Sequence, residues 1–244
     1  MYYYDNRVNG TLIWVAPVCT DMTDRLCIDL FSGTDGFSAA FIQSREWDVI
    51  SVDNRDDHDD INPIMLADVF DLTGDDFPTG DYDVTVVLAS PPCKAFSMAA
   101  AGHHMTKDVQ PKTDFGQESL ELIEHTIDLI RDIDPEYWFL ENPRAGLRRV
   151  MRRASWGLGE PTGTVSWCQY GANRMKPTDL WGVHPPMRYR FCANGEDCHV
   201  SAPRGAQTGT NGMATDVDRA AIPFGLSIAI LDAVERALSV QGRM

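Results

Sequence analysis

Lysine is the scarcest charge in this 244-residue chain: four lysines stand against seventeen arginines, and nine glutamates against twenty-seven aspartates, for a net charge of −15. That balance excludes recognition of polyanions by bulk attraction, so any contact with nucleic acid has to come from cations gathered locally. An Asp-rich, Lys-poor surface fits a chain that stays hydrated in high salt, the alternative being an ordinary acidic cytosolic protein. Long apolar runs are missing as well. The longest early one, residues 11–18, is too short to span a bilayer and no signal peptide is recognisable, which predicts a cytoplasmic protein without a membrane partner. Six cysteines at irregular spacing make no disulfide framework in a chain this large, so reduced thiols are expected.

What is present suffices for a full core: 43% of the residues are hydrophobic, enough for one α/β domain with at most a small insert. Residues 82–88 (YDVTVVL) read as a strand covered on both faces of a parallel sheet, stopped by Pro91 and Pro92. Ligands of open α/β sheets bind outside the carboxyl ends of the strands, so Cys93 is delivered to the crevice. Residues 26–31 (LCIDLF) read as a first strand, Ser32 to Gly36 as a glycine-containing turn, and residues 37–43 as the start of a helix. Such a turn lets a nucleotide-like cofactor approach backbone and a helix N-terminus. Asp53, at the end of the next strand and about twenty residues on, is placed to accept from ribose hydroxyls. Asp68 is a further carboxylate, able to accept from the exocyclic amine of an adenine while its neighbour's N–H faces a ring nitrogen.

Residues 98–116 show no sustained period and read as a long mobile loop, a lid beside the crevice. Residues 118–133 carry Leu120, Ile123, Ile127 and Ile130 on one face of an amphipathic helix. Residues 137–140 (YWFL) form another buried strand, ending in Glu141-Asn142-Pro143, so a carboxylate and a cysteine share the crevice. Arg144, Arg148, Arg149, Arg152 and Arg153 crowd the next segment, either as a solvated helix face or as a local basic patch. His184, Cys192, Cys198 and His199 could close round one zinc ion and stabilise a short segment, the alternative being unligated side chains.

The order of these pieces resembles the DNA cytosine-5 methyltransferases, most closely their compact viral forms. DLFSGTDGFSAAF is similar to that family's first cofactor motif, SVDNR to its second, PPCKAFS to its nucleophile motif and LENP to its glutamate motif, and the likeness covers roughly residues 26–238. It implies a Rossmann-like α/β sheet that binds S-adenosylmethionine, DNA as partner with base flipping, and host cytoplasm if the source is viral. It divides the chain into an N-terminal extension (1–25), a catalytic and cofactor-binding part (26–180), a small insert (181–215) in place of a large target-recognition domain, and a C-terminal helix (216–244) completing the catalytic part. By the same resemblance Asp29, Phe31, Gly33, Asp35, Gly36, Phe37, Asp53, Asn54, Asp68, Val69 and Pro91 serve the cofactor, and Cys93, Glu141, Asn142 and Lys176 the chemistry. A thiolate at Cys93 would add to C6 of the base and Glu141 would act as acid at N3, with Asn142 holding the glutamate or its loop. The sequence departs from the family at RMKPT, where Lys176 inherits a cation's place and Thr178 cannot, and at Ala220, where an Asn is usual. An RNA cytosine-5 methyltransferase would share Cys93 and Glu141. Ser90-Pro91-Pro92 admits an amino-group methyltransferase, although Cys93 stands where those enzymes place an aromatic ring. A binding protein without catalysis on the same fold is a further alternative.

Overall fold

The computed structural model describes residues 7–8, 11–12, 23–55, 65–98, 100, 102–193, 195–201 and 220–242. Two two-residue strands, β1 (Arg7–Val8) and β2 (Thr11–Leu12), pair with each other. The body is a seven-stranded sheet of β3 (Arg25–Leu30), β4 (Asp48–Asp53), β5 (Met65–Leu66), β6 (Val84–Ala89), β7 (Tyr137–Pro143), β8 (Gly163–Ser166) and β9 (Pro177–Trp181). Its spatial order is β5-β4-β3-β6-β7-β9-β8, with the first five strands parallel and the last two pairs antiparallel. The chain winds one way from β3 to β5 and then the other way from β6, so the order reverses between β3 and β6, where such sheets bind ligands.

Strict alternation along the central strands sends side chains to two separate cores. Leu26, Ile28 and Leu30 of β3 and Val87 of β6 pack under α2 (Asp114–Ile133) and α3 (Gly146–Arg153). Cys27, Val86 and Leu88 pack on the other face with Phe41 of α1 (Ala39–Ser44) and Leu226, Ile230 and Val234 of α4 (Phe224–Gln241). Burial on both faces is why β6 reads as an apolar run broken only by Thr85.

Two boundaries differ from the sequence expectation. Helix α2 starts at Asp114, because Thr113 caps it by accepting from Gly116 N–H; a Cβ at Gly116 would lie 2.5 Å from the His104 carbonyl, so a glycine that looks like loop is a close-approach point inside the first turn. The expected loop 98–116 has internal structure: Met105 bridges Pro111, Lys112 N–H donates to the His104 carbonyl, and Met105 is buried in the core. Among the described residues no helix is long and apolar enough to cross a membrane.

Candidate active site

Cys93 sits just past the carboxyl end of β6, half-buried, at the start of a single 3-10 turn over Lys94–Phe96. The loop that carries it is fastened on both sides. Ser90 N–H donates to the Leu30 carbonyl and Ser90 Oγ to that of Phe31, tying it to the end of β3. Asn142 Nδ2 donates to the Pro91 carbonyl at 3.0 Å, tying it to β7. Asn142 therefore holds the cysteine's loop rather than the glutamate's. Glu141 and Asn142 belong to β7 itself, which continues past its parallel partner β6 and pairs with β9 through Leu140–Pro143. That overhang carries the glutamate to the crevice.

Glu141 is buried, which pushes its carboxyl above the usual range, against the opposing pull of Lys176 and a hydrogen bond with Thr178. Its Oε1 has no hydrogen-bond partner among the described residues. Burial also raises the Cys93 thiol, with Lys176 pulling it down and Glu141 pushing it further up. Burial in turn lowers the Lys176 ammonium, opposed by Glu141 and Cys93. Three desolvated groups, Lys176 sensing both of the others and Cys93 sensing Glu141 and Lys176, thus lie at the ends of β6, β7 and β9. The Lys176 Nζ rests 3.6 Å from the centre of the Trp167 ring, a cation–π seat that the sequence does not announce. Thr178 also has a part that a cation-seeking comparison overlooks, since its hydroxyl serves the glutamate.

On the other side of the crevice, Phe31, Gly33 and Asp35 all have positive φ, so the turn after β3 is tightly curled backbone. Asp53 accepts from Gly33 N–H at 2.9 Å, and Asp68 caps the turn over Val69–Asp71 while Asn54 donates to it at 3.4 Å. Gly36 abuts the segment before α4, where a Cβ would lie 2.8 Å from the Ile222 carbonyl. Ile222, just before α4, thus closes on the turn. Asp29 and Phe37 are enclosed, so their side chains shape the turn instead of lining it: Asp29 accepts from Ser38 N–H and Oγ, and burial lifts its carboxyl to about 7. The turn suits a nucleotide-like group, because nothing lies within 4 Å of a Cβ built at Gly33 and the buried Ser32 Oγ has no partner among the described residues.

A model of the C-5 cytosine-specific DNA methylases matches residues 26–149. The chain belongs to that family. It is 32% identical over 176 residues to a Frog virus 3 (isolate Goorha) protein described as a probable DNA (cytosine-5)-methyltransferase, covering 70% of this chain and 76% of the relative. A crystal structure named for a DNA modification methyltransferase encoded within an E. coli prophage is 19% identical, with a TM-score of 0.44 over 65% of this chain and 46% of the other. This chain thus spans under half the length of that structure's chain. The resemblance read from the motifs is borne out, and S-adenosylmethionine and DNA are the cofactor and substrate that membership implies.

Within this family site, the expected metal set needs a correction. His184 does not join Cys192, Cys198 and His199: its ring stacks on Phe139 at 4.3 Å and its Nδ1 lies 3.0 Å from the Pro185 carbonyl. Cys168, from the turn over Trp167–Tyr170, takes its place, and the resulting set of three thiols and one imidazole is compatible with zinc. The arginine cluster is also partly consumed by acids. Arg148 pairs with Asp179, Arg152 with Glu160 and Arg153 with Asp108. Arg144 and Arg149 line a cavity of about 540 Å³ with Phe96, Met105 and Val109, immediately beside the turn that Cys93 opens.

The charge triad makes a two-sided prediction. Alkylation of Cys93, mapped by peptide mass, should rise with pH through an inflection above the ordinary thiol range. Lys176→Met removes the cation that favours the thiolate and should move the inflection up; Glu141→Gln removes the opposing anion and should move it down. Shifts of the same sign in both variants would contradict this arrangement.

Proposed function

We propose that the chain methylates C5 of cytosine in DNA, through a covalent bond between Cys93 and a base turned out of the duplex. The observation that carries the reading is the convergence of Cys93, Glu141 and Lys176, each electrostatically coupled to the other two, at adjacent strand ends. C5 of cytosine is a weak nucleophile. Addition of the Cys93 thiolate to C6 places an enamine at C5, while a proton from buried Glu141 meets the charge developing at N3. Lys176 favours the thiolate before attack, and Asn142 keeps the cysteine's loop against β7. S-adenosylmethionine, held by the turn 31–37 with Asp53, Asn54, Asp68 and Val69, would supply an electrophilic methyl carbon. Once C5 carries the methyl group, loss of the C5 proton lets the cysteine leave by elimination.

A base inside a duplex is out of reach, and turning it out costs a few kcal/mol. The Arg144 and Arg149 groove beside Phe96 fits the phosphate backbone that must run past the nucleophile. We read the segment after β9 as the reduced target-recognition region, where exposed Phe191 lies under the Arg144 guanidinium.

The test exploits the C5 proton. DNA carrying 5-fluorocytosine, incubated with the protein and S-adenosylmethionine, should trap a denaturation-resistant complex whose peptide maps to Cys93, because fluorine cannot leave as a proton does. Trapping on 5-fluorocytosine tRNA but not on DNA would assign the site to RNA instead.

A further inference from the structure

The turn over Trp167–Tyr170 brings Cys168 against a strap, residues 182–201, that contains no helix or strand among its described residues. The strap is laced to β8 and that turn by backbone: Ser166 N–H donates to the Arg190 carbonyl, Cys192 N–H to Ser166 Oγ, and Tyr170 Oη to the Arg188 carbonyl. At the centre of this lacing four soft donors converge. Cys192 and Cys198 Sγ are 3.2 Å apart, Cys198 and Cys168 Sγ 3.7 Å, and His199 Nδ1 lies 3.5 Å from Cys198 Sγ and 3.6 Å from Cys192 Sγ. All four donor atoms lie within 4.8 Å of one another.

A tetrahedral ion with Zn–S of about 2.3 Å and Zn–N of about 2.0 Å sets its ligands about 3.8 Å apart for two sulfurs and about 3.5 Å for sulfur and nitrogen. The distances from His199 to Cys192 and Cys198 and from Cys198 to Cys168 match these; Cys192 and Cys198 would part by about half an ångström, and the donors as a set already lie within 4.8 Å of one another. A disulfide needs a sulfur separation of about 2.0 Å, and it would use two thiols and leave the third thiol and the imidazole nitrogen pointing at it for no purpose. Thiolate and imidazole donors select zinc over magnesium or calcium. A segment with so little regular structure also lacks a core of its own to hold it.

We propose that Cys168, Cys192, Cys198 and His199 bind one zinc ion. Four protein ligands leave no open position, so the centre is structural. It staples the strap to the turn whose first residue, Trp167, seats Lys176.

Metal analysis of the full chain, purified under reducing conditions, should find about one zinc per chain, falling toward zero in Cys168→Ser and Cys198→Ser and unchanged in His184→Ala. Should the cysteine variants fail to fold, cobalt exchanged into the unaltered protein provides an independent reading. Thiolate-to-cobalt charge-transfer absorption with the intense visible bands of a four-coordinate ion is expected, and chelation should lower the melting midpoint. Protein grown with ample zinc that carries no metal and takes up no cobalt overturns the proposal. So does a Cys192–Cys198 disulfide found as the resting state, or loss of zinc in His184→Ala.

Discussion

Cys93→Ser should lower methyl transfer by about 10⁴-fold or more, because under the proposed mechanism it removes the atom that makes C5 reactive. A serine hydroxyl in the same half-buried place would have to ionise far above physiological pH, where even the thiol is raised by desolvation. Lys176 could not make up that difference, since its own ammonium is weakened by burial. The turn 31–37, Asp53 and Asp68 lie on the other side of the crevice, so binding of S-adenosylmethionine should be retained in the variant. Radiolabelled methyl transfer to DNA, beside calorimetric titration with the cofactor, separates the two effects. Undiminished methylation by Cys93→Ser, or methyl groups found on the exocyclic N4, would mean that a different reaction class operates here.

Arg148→Met should destabilise the fold by about 3–5 kcal/mol, the usual result of stranding one member of a buried ion pair. Asp179 is fully enclosed in β9, and its carboxylate is met by Nε and Nη2 of Arg148 and by the Thr164 hydroxyl from β8. Losing the guanidinium leaves a charge with no route to water. Adding Asp179→Leu should recover most of the loss, since replacing both members by apolar groups is often neutral. Urea unfolding of the two single variants and the double variant measures the coupling, and a loss in the double variant equal to the sum of the two single losses would show that the pair does not act as a unit. Because β9 also carries Thr178 and follows Lys176 directly, Arg148→Met should disturb the site even where the fold survives.

Much of this was legible in the residues, and the physical reasons for the remainder are particular. Strands β3 and β6 announce themselves because both faces are buried, so burial writes itself as an apolar run. Cys93 and Glu141 are legible through the motifs around them. The reach of β7 past Leu140 is not, because it depends on pairing with β9, some forty residues away, and polar Glu141 and Asn142 look like a strand end. Lys176 stands out as a cation, whereas its seat on Trp167 depends on a fold-back that no local pattern encodes. Cys168 is not legible as a partner of Cys192, Cys198 and His199, because it lies in the turn after β8, outside the short segment that holds them. His184 suits a metal by residue type alone, and an imidazole following a strand is as easily spent on stacking, as here against Phe139.

The hydroxyl of Ser227 donates to the Phe37 carbonyl at 2.6 Å and accepts from Ala40 N–H at 2.9 Å. Those contacts join positions 190 and 187 residues apart, and Ile222 closes on Gly36 beside them. The turn after β3 is therefore made 190 residues ahead of the serine that braces it, and settles only after that serine has emerged. Until α4 has emerged and docked, the face of β3 and β6 that bears Cys27, Val86 and Leu88 lacks its cover. The nascent chain must carry that apolar surface exposed while the intervening residues are made, which makes it a natural client for a holding chaperone and makes loss of α4 an aggregating lesion rather than a merely inactivating one.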